Sequence, residues 1–280
     1  MPEQVKVYTP DSSLASPARM LAEMLGDLFR GREMAWRLAV RDIQAQYRQT
    51  VLGLLWAVIT PLATTITWVF LSSSGIVSVG ATALPYPVYV FTGTLLWSIF
   101  TDAMSLPLQQ TNAARGMLAK LNFAREAVLV AGLLKLAFNS GIKIVLMLGA
   151  LLLLGIKPGW AVLLFPLGVA SLMLVGTAVG LLITPLGMLY TDVGRIVPLA
   201  MGFLMYLTPA IFPVPQEGWV KTLFLLNPMT PLIATSRDWL TGYPPEMLAY
   251  FVGVNCAAFG VLLFGWAAWR LAMPIIIERM

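Results

Sequence analysis

Residues 49–101 read QTVLGLLWAVITPLATTITWVFLSSSGIVSVGATALPYPVYVFTGTLLWSIFT, and none of these 53 residues is charged. A helix needs about 20 apolar residues to cross a bilayer, so this stretch is too long for one crossing and fits two. The turn-rich residues from Ser72 to Pro87 predict the connection between them. We therefore expect spans at about 51–72 and 86–106, which make the chain a polytopic membrane protein.

The composition of the whole chain indicates the same class. Hydrophobic residues make up 59% of the 280 residues, charged residues make up 11%, and the mean hydropathy is +0.81. Soluble domains carry roughly 25% charged residues. A soluble fold of this size cannot bury so much apolar surface. The chain has no His and one Cys, Cys256, which excludes His-based catalytic triads, His-ligated zinc sites and disulfide scaffolds.

Four more apolar runs follow the first two. They predict spans at about 132–154, 161–184, 196–211 and 247–269, and Lys157-Pro158-Gly159 predicts the turn between the first pair. The expected fold is therefore an all-α membrane domain of six transmembrane helices over residues 50–280.

An even number of spans places both termini on one side of the membrane. Thirteen of the eighteen Lys and Arg residues fall on that side, and three fall on the other: Lys157, Lys221 and Arg237. Because loops rich in Lys and Arg stay inside the cell, we expect both termini to be cytoplasmic.

The first 49 residues divide into two predicted parts. Residues 1–26 are expected to be loosely ordered, and they lack the apolar core of a signal peptide. Residues 27–49 predict a basic amphipathic helix, because apolar residues recur on one helical face: Trp36, Val40, Ile43 and Tyr47. Arg37, Arg41 and Arg48 follow the same spacing. Such a helix lies in the headgroup plane, either as an anchor for anionic lipids or as a platform for a cytoplasmic partner.

Two further segments each allow two interpretations. Residues 109–125 form either a connecting loop or a short helix on the cytoplasmic surface, and they contain Asn112, Arg115, Lys120 and Asn122. Residues 219–240 are apolar but are interrupted by Asn227-Pro228 and Pro231, so neither half is long enough to cross. They form either a surface loop or a pair of re-entrant helices. We favour the helices.

Three polar residues share one face of the third predicted span. Lys135, Asn139 and Lys143 recur at every fourth position. A charge at this depth costs several kcal/mol unless it meets water, a partner or the interface. The lysines therefore either contact an anionic substrate, or reach the headgroups or an acid such as Asp102.

The apolar runs also supply aromatic and small residues. Some aromatics either form an interfacial belt or stack on sugar rings inside a channel: Trp56, Trp97, Tyr206 and Phe212. Gly176 and Gly180 permit close helix packing within the membrane.

No nucleotide-binding loop is present, because the dipeptide Gly-Lys never occurs. Membrane-embedded carboxylates, on which ion-coupled transporters usually depend, are nearly absent. These two observations favour an ATP-driven system whose nucleotide-binding subunit is a separate chain.

Several motifs resemble those of ABC-2 type permeases that export polysaccharides. They occur in order over about residues 25–275, as RDIQAQYR at 41–48, LGLLW at 52–56, YLTPAIFPV at 206–214 and LNPMTPLI at 226–233. One motif departs from the family pattern. The loop after the fourth span, usually Arg-Tyr-Arg-Asp, is Leu-Tyr-Thr-Asp here, and only Tyr190 and Asp192 match.

The resemblance implies a transporter in the bacterial inner membrane with several partners. A homodimer of six-span subunits would bind two ABC ATPase subunits, which would hold ATP and Mg²⁺. This chain itself would bind no cofactor or metal and no nucleic acid. The substrate would be a lipid-linked polysaccharide, such as an O-antigen or a capsule.

The resemblance also implies roles for three sets of residues. The first set would contact the ATPase, with residues 109–125 as the coupling helix: Arg37, Arg41, Arg48, Asn112, Arg115, Lys120 and Asn122. The second set would line the substrate channel: Lys135, Asn139, Lys143, Trp56, Trp97, Tyr206 and Phe212. The third set would form an outer gate within 219–240: Trp219, Asn227, Pro228 and Pro231.

Two other functions remain open at this point. The same fold can export a small lipid or a drug. A membrane-embedded glycosyl or acyl transferase is disfavoured, because it needs acidic or His catalytic groups and the predicted outer side offers few: Glu217, Asp238 and Glu246.

Overall fold

The computed structural model describes residues 17–48, 53–120 and 124–278. Within these ranges the chain forms helices and no strand, which confirms the all-α prediction there. The helices are α1 (Pro17–Arg30), α2 (Arg32–Arg48), α3 (Trp56–Ser73), α4 (Tyr86–Ala113), α5 (Arg115–Lys120), α6 (Glu126–Leu153), α7 (Phe165–Leu189), α8 (Val193–Leu204), α9 (Trp219–Leu226), α10 (Met229–Thr241) and α11 (Leu248–Glu278). Short 3₁₀ turns occur at Gly53–Leu55, Trp160–Leu164 and Met205–Leu207.

Among the described residues, four helical segments are long and apolar enough to cross a membrane: Trp56–Ser73, Glu126–Leu153, Trp160–Leu189 and Leu248–Pro274. Helix α4 is also 28 residues long, but it carries several polar residues and is the most buried of the long helices. Helix α8 and its following turn have only 15 residues, which at about 1.5 Å each fall short of a hydrocarbon layer of about 30 Å. The fifth predicted span, at 196–211, corresponds to a helical segment that begins at Val193 and ends at Leu207, and six crossings remain a prediction.

The core is built on α4 and α7, which cross at two glycines of α7. A Cβ on Gly176 would overlap Ala103 and the carbonyl oxygen of Phe100, and one on Gly180 would overlap the carbonyl oxygen of Met104. Only a residue without a side chain allows this approach, as the sequence predicted. Helix α10 packs on both α4 and α7, and α11 packs on α7.

The amphipathic N-terminal region differs from the prediction of one helix over 27–49. It forms two helices, because α1 begins at Pro17 and a turn at Gly31 separates it from α2. A Cβ on Gly31 would lie 3.0 Å from the Cβ of Ala127, so the turn packs closely on α6. Residues 17–26, expected to be loosely ordered, belong to α1, and residues 1–16 lie outside the described ranges.

Helix α2 packs on α6 through alanines. Ala35 and Ala39 are buried against Ala127 and Ala131. The predicted apolar face lies beside this contact, and Trp36 on it is 61% exposed. The small residues bring α2 close to α6 and leave Trp36 available to a headgroup layer or a partner.

Candidate functional site

A polar cavity of about 580 Å³ lies between α2, α4, α6 and α8. Charged, amide and hydroxyl side chains dominate its wall: Gln46, Thr101, Asp102, Ser105, Gln109, Gln110, Lys135 and Asn139. Apolar residues and glycines complete it: Trp97, Leu106, Gly132, Leu136, Pro198, Met201 and Gly202. We call this the polar cavity. Such a lining between largely apolar helices is suited to a hydrophilic ligand or to water.

The predicted polar face of α6 meets this cavity. Lys135 and Asn139 line it, whereas Lys143 lies beside it and forms an ion pair with Asp102 on α4. The Nζ atom of Lys143 is 2.6 Å from Oδ2 of Asp102, and the side chains are 13% and 51% exposed. A nearby carboxylate offsets the cost of burying the ammonium group. The structure thus shows for Lys143 the pairing with Asp102 that the sequence left open.

Asn139 joins α6 to α2 at the rim of the cavity. Its Oδ1 accepts a hydrogen bond from the Tyr47 hydroxyl at 3.0 Å, and its Nδ2 donates to Gln46 Oε1 at 3.4 Å. A tyrosine phenol is protonated at neutral pH and can donate its proton, and burial raises the pKa of Tyr47 further. The end of α2 is therefore attached to the wall of the polar cavity.

The predicted channel aromatics lie in different places. Trp97 is buried in the wall of the polar cavity. Tyr206 and Phe212 instead pack edge to face on Trp68 of α3, with ring centroids 5.9 Å and 5.3 Å away. Trp56 begins α3 and is 52% exposed. The structure therefore brings only Trp97 together with Lys135 and Asn139.

The basic residues of α2 are exposed on its surface. Arg37 pairs with Glu33 at 2.6 Å, Arg41 pairs with Asp42 at 2.8 Å, and Arg48 ends the helix. Arg41 also lines a small crevice between α2 and the α4–α5 corner. This arrangement places the predicted partner surface of α2 next to that of α5.

A short helix lies within residues 109–125, as one of the two interpretations predicted. Asn112 is exposed in the last turn of α4, and α5 begins at Arg115. Arg115 donates a hydrogen bond to the carbonyl oxygen of Met188 at 2.9 Å, which caps the end of α7. Lys120 ends α5, and Asn122 lies outside the described residues.

Helix α5 contacts α4 and α11 and joins a hydrophobic cluster that also includes residues of α6 and α7. Leu118 belongs to a cluster with Val128 of α6, Leu181 of α7 and Trp269 of α11. The indole of Trp269 is fully buried and donates to Thr111 Oγ1 of α4 at 3.3 Å. Because interiors are close-packed, a displacement of α5 would be transmitted to these helices.

An ion cluster of three residues joins α1, α6 and α11. Arg270 of α11 contacts Asp27 of α1 at 2.8 Å and forms a second, shorter ion pair with Glu126 of α6. Glu126 is only 2% exposed. We call these residues the Arg270 cluster. Sequence reasoning missed it, because Arg270 counted only as a cytoplasmic positive charge, although Glu126 at the start of an apolar run was a signal.

The predicted gate segment forms α9 and α10, with its four singled-out residues at their ends. Trp219 begins α9 and is 74% exposed, Pro228 precedes α10, and Pro231 is buried in the first turn of α10. Asn227 donates to the carbonyl oxygen of Leu207 at 2.9 Å and accepts from the backbone of Met229. Asn227 therefore fastens α10 to the end of the α8 segment.

Arg237 of α10 makes a second connection, to Pro209 and to Tyr89 of α4. It is 6% exposed, donates to the carbonyl oxygen of Pro209 at 2.7 Å, and lies 3.8 Å from the ring centroid of Tyr89. Carbonyl oxygens and an aromatic face both stabilise a buried guanidinium. The sequence offered a signal for this residue, a lone charge in an apolar segment, but the count of basic loops treated it as a surface charge.

The side chains of the candidate site are suited to binding a ligand and to transmitting motion between helices. No group of three or more His, Cys, Asp or Glu residues that could hold a metal occurs within 17–48, 53–120 and 124–278. One connected set of helices carries all three features: the polar cavity, the residues on α2 and α5 predicted to face the ATPase, and the buried helix α10.

Comparison with known proteins places the chain in a family. A family model described as "ABC-2 type transporter" matches residues 34–240. The O-antigen export system permease protein RfbA of Myxococcus xanthus is 24% identical over 218 residues, which cover 77% of this chain and 83% of that protein. A protein of the same description from Klebsiella pneumoniae is 23% identical over 245 residues, covering 83% and 91%. The family match spans well over half of the chain, from α2 to α10. The chain is therefore a member of the ABC-2 type transporter family and a homologue of O-antigen export permeases.

Proposed function

We propose that this chain is the transmembrane permease subunit of an ABC transporter that exports a lipid-linked polysaccharide across the bacterial inner membrane. The observation that carries the proposal is the similarity to two O-antigen export permeases over 77% and 83% of the chain. Two copies would form the conduit with six spans each and both termini in the cytoplasm. Two ABC ATPase subunits would bind ATP and Mg²⁺ beneath them.

Three structural features support a conduit driven from the cytoplasm. The polar cavity offers hydroxyl and amide groups to a hydrated polymer. Helix α5 contacts α4 and α11 and is hydrogen-bonded to the end of α7 through Arg115, so it can transmit a displacement from a bound ATPase to these helices. Helix α10 is largely buried against α4 and α7, as a re-entrant gate helix would be.

The proposed function is tested in a strain from which the gene for this chain is deleted. We expect the strain to lose surface polysaccharide and to accumulate lipid-linked glycan inside, and the wild-type chain to restore export. The tagged chain should co-purify with an ABC ATPase. Normal surface polysaccharide in the deletion strain, with altered drug sensitivity, would favour a small-molecule exporter instead.

Charge reversal on α2 tests its predicted contact with the ATPase. Arg37→Glu combined with Arg41→Glu is expected to weaken binding about tenfold or more, because complementary charges guide such contacts. The recovery of ATPase with the tagged chain in mild detergent measures this. The control is Arg195→Glu on α8, which is also exposed and reverses one arginine where the double variant reverses two. Equal recovery with the double variant and the control would remove α2 from the interface.

A further inference from the structure

Helix α1 precedes the part of the chain that family membership explains. The family match begins at residue 34, whereas α1 spans Pro17–Arg30, and the proposed export function assigns it no role. Its surface carries three exposed apolar side chains one turn apart, Leu21, Leu25 and Phe29, and Phe29 is 72% exposed. We call these residues the α1 stripe. A contiguous exposed apolar surface of this kind is typical of a site that meets a partner or a membrane.

The rotation of α1 is fixed by contacts on its other side. Met24 is fully buried, and Asp27 forms an ion pair with Arg270 of α11 at 2.8 Å. At 3.6 residues per turn, the α1 stripe lies about 120–160° around the helix from Asp27. Glu23 and Arg30 are exposed on a third side, between the other two. Helix α1 therefore has one side that packs on the helix bundle, one polar side and one exposed apolar side.

The Arg270 cluster sets the depth of α1 relative to the spanning segments. Glu126 is the first residue of the segment Glu126–Leu153, and Arg270 lies four residues before the end of the segment Leu248–Pro274. At about 1.5 Å per residue, Arg270 is about 6 Å inside that end. Asp27, which contacts Arg270, therefore lies near the boundary between the hydrocarbon layer and the headgroups. Amphipathic helices that bind a membrane surface lie at this depth.

Two basic residues lie at the same level as the α1 stripe. Arg30 ends α1 and Arg32 begins α2, and both are exposed. The turn between them, at Gly31, packs on Ala127 at the start of a spanning segment. Arginines near the membrane surface attract acidic phospholipid headgroups. The apolar stripe and the arginines together match an acidic phospholipid surface, whereas a soluble protein would approach α1 from its polar side.

We propose that α1 is a membrane-docking helix for acidic phospholipids. The α1 stripe enters the boundary between acyl chains and headgroups, and Arg30 and Arg32 bind the acidic headgroups. The ion pair of Asp27 with Arg270 attaches the docked helix to the end of α11. This role goes beyond the proposed function, because it depends neither on the substrate that is exported nor on the predicted contact of α2 with the ATPase.

The test measures contact between α1 and lipid directly. Cys256→Ser removes the exposed native thiol, and Leu25→Cys then carries an environment-sensitive fluorophore in the full chain in lipid nanodiscs. The discs contain either phosphatidylcholine alone or phosphatidylcholine with an equal amount of phosphatidylglycerol. Lipids with a nitroxide near the top of the acyl chain quench a fluorophore at that depth, and iodide quenches one in water. The control is Glu23→Cys with the same fluorophore, which lies about 160° around the helix from Leu25.

In the phosphatidylglycerol discs we expect the lipid nitroxide to quench the fluorophore at Leu25→Cys about threefold more than at Glu23→Cys, and iodide to show the reverse order. Equal quenching at the two positions would overturn the proposal. A fluorophore at Leu25→Cys that is shielded from iodide but not quenched by lipid would assign the α1 stripe to a second copy of the chain. Shielding that appears only when the ATPase is added would assign the stripe to the ATPase.

A charge variant tests the contact with headgroups. Arg30→Gln combined with Arg32→Gln is expected to lower the ratio of docked to undocked α1 about tenfold, because each basic residue near an acidic surface strengthens binding. Phosphatidylcholine discs should cause a similar loss in the wild-type chain. Arg30→Lys combined with Arg32→Lys is the matched control, since it keeps both charges and should retain docking. Lipid quenching that neither the glutamine variant nor neutral lipid lowers would contradict the assignment to acidic headgroups.

Discussion

Replacing Arg270 by Met is expected to destabilise the protein by about 3–5 kcal/mol, because it leaves a buried carboxylate without its cation. Glu126 is 2% exposed and pairs with Arg270, which also holds Asp27 of α1. The variant should therefore lose both the cation that pairs with Glu126 and the ion pair that attaches α1 to α11. Thermal unfolding of the purified chain in detergent, followed by fluorescence-detected size-exclusion chromatography, measures the loss.

Two further variants separate the ion pair from side-chain packing. Glu126→Gln in the Arg270→Met background removes the stranded charge and is expected to recover part of the stability. Arg37→Met also breaks an ion pair, but both partners there are at least 75% exposed, and the expected change is about 0.5 kcal/mol or less. Equal shifts for Arg270→Met and Arg37→Met would show that the Arg270 cluster contributes no more than a surface pair.

Gly180→Ala is expected to destabilise the protein by about 1–3 kcal/mol, because the added methyl group overpacks the α4–α7 contact. The new Cβ would overlap the carbonyl oxygen of Met104 and lie 3.0 Å from Cδ of Pro107. The helices would have to separate, which loosens the core that positions the polar cavity. The same unfolding measurement applies, together with the yield of the monodisperse chain.

The matched control for this substitution is Gly149→Ala. Gly149 lies on α6, and a Cβ there meets no atom within 4 Å. Since Ala is the better helix former by about 1 kcal/mol in a helix interior, this control is expected to keep or raise the stability. If both alanine variants unfold like the wild-type chain, the α4–α7 crossing is looser than the structure indicates.

Much of the fold is predictable from the sequence, because its causes are local. Long apolar runs form helices, since a helix satisfies its own backbone hydrogen bonds in an apolar medium. The interruption at Asn227-Pro228 separates α9 from α10, and Lys157-Pro158-Gly159 lies in the turn before the Trp160–Leu189 segment. The structure differs from the prediction at the boundaries of α1 and α8. At α1, tertiary packing overrides the local helix propensity, and at α8 polar and apolar residues are mixed.

The candidate site is less predictable from the sequence than the fold. Lys135, Asn139 and Trp97 were singled out and lie together, whereas Tyr206 and Phe212 pack around Trp68. Periodicity identifies which residues share a face of one helix. It does not identify which face of another helix lies opposite. For this reason Gln109 and Gln110, which line the polar cavity, were not among the predicted site residues.

The sequence by itself determined that this chain is helical and lies in a membrane, since composition and apolar run length are properties of the chain alone. Only the tertiary structure decided which charges meet. Lys143 pairs with Asp102 across 41 positions, and Arg270 pairs with Glu126 across 144 and with Asp27 across 243. Such pairs depend on the rotation and register of packed helices, which arise from many side-chain contacts at once and leave no periodic trace in the sequence.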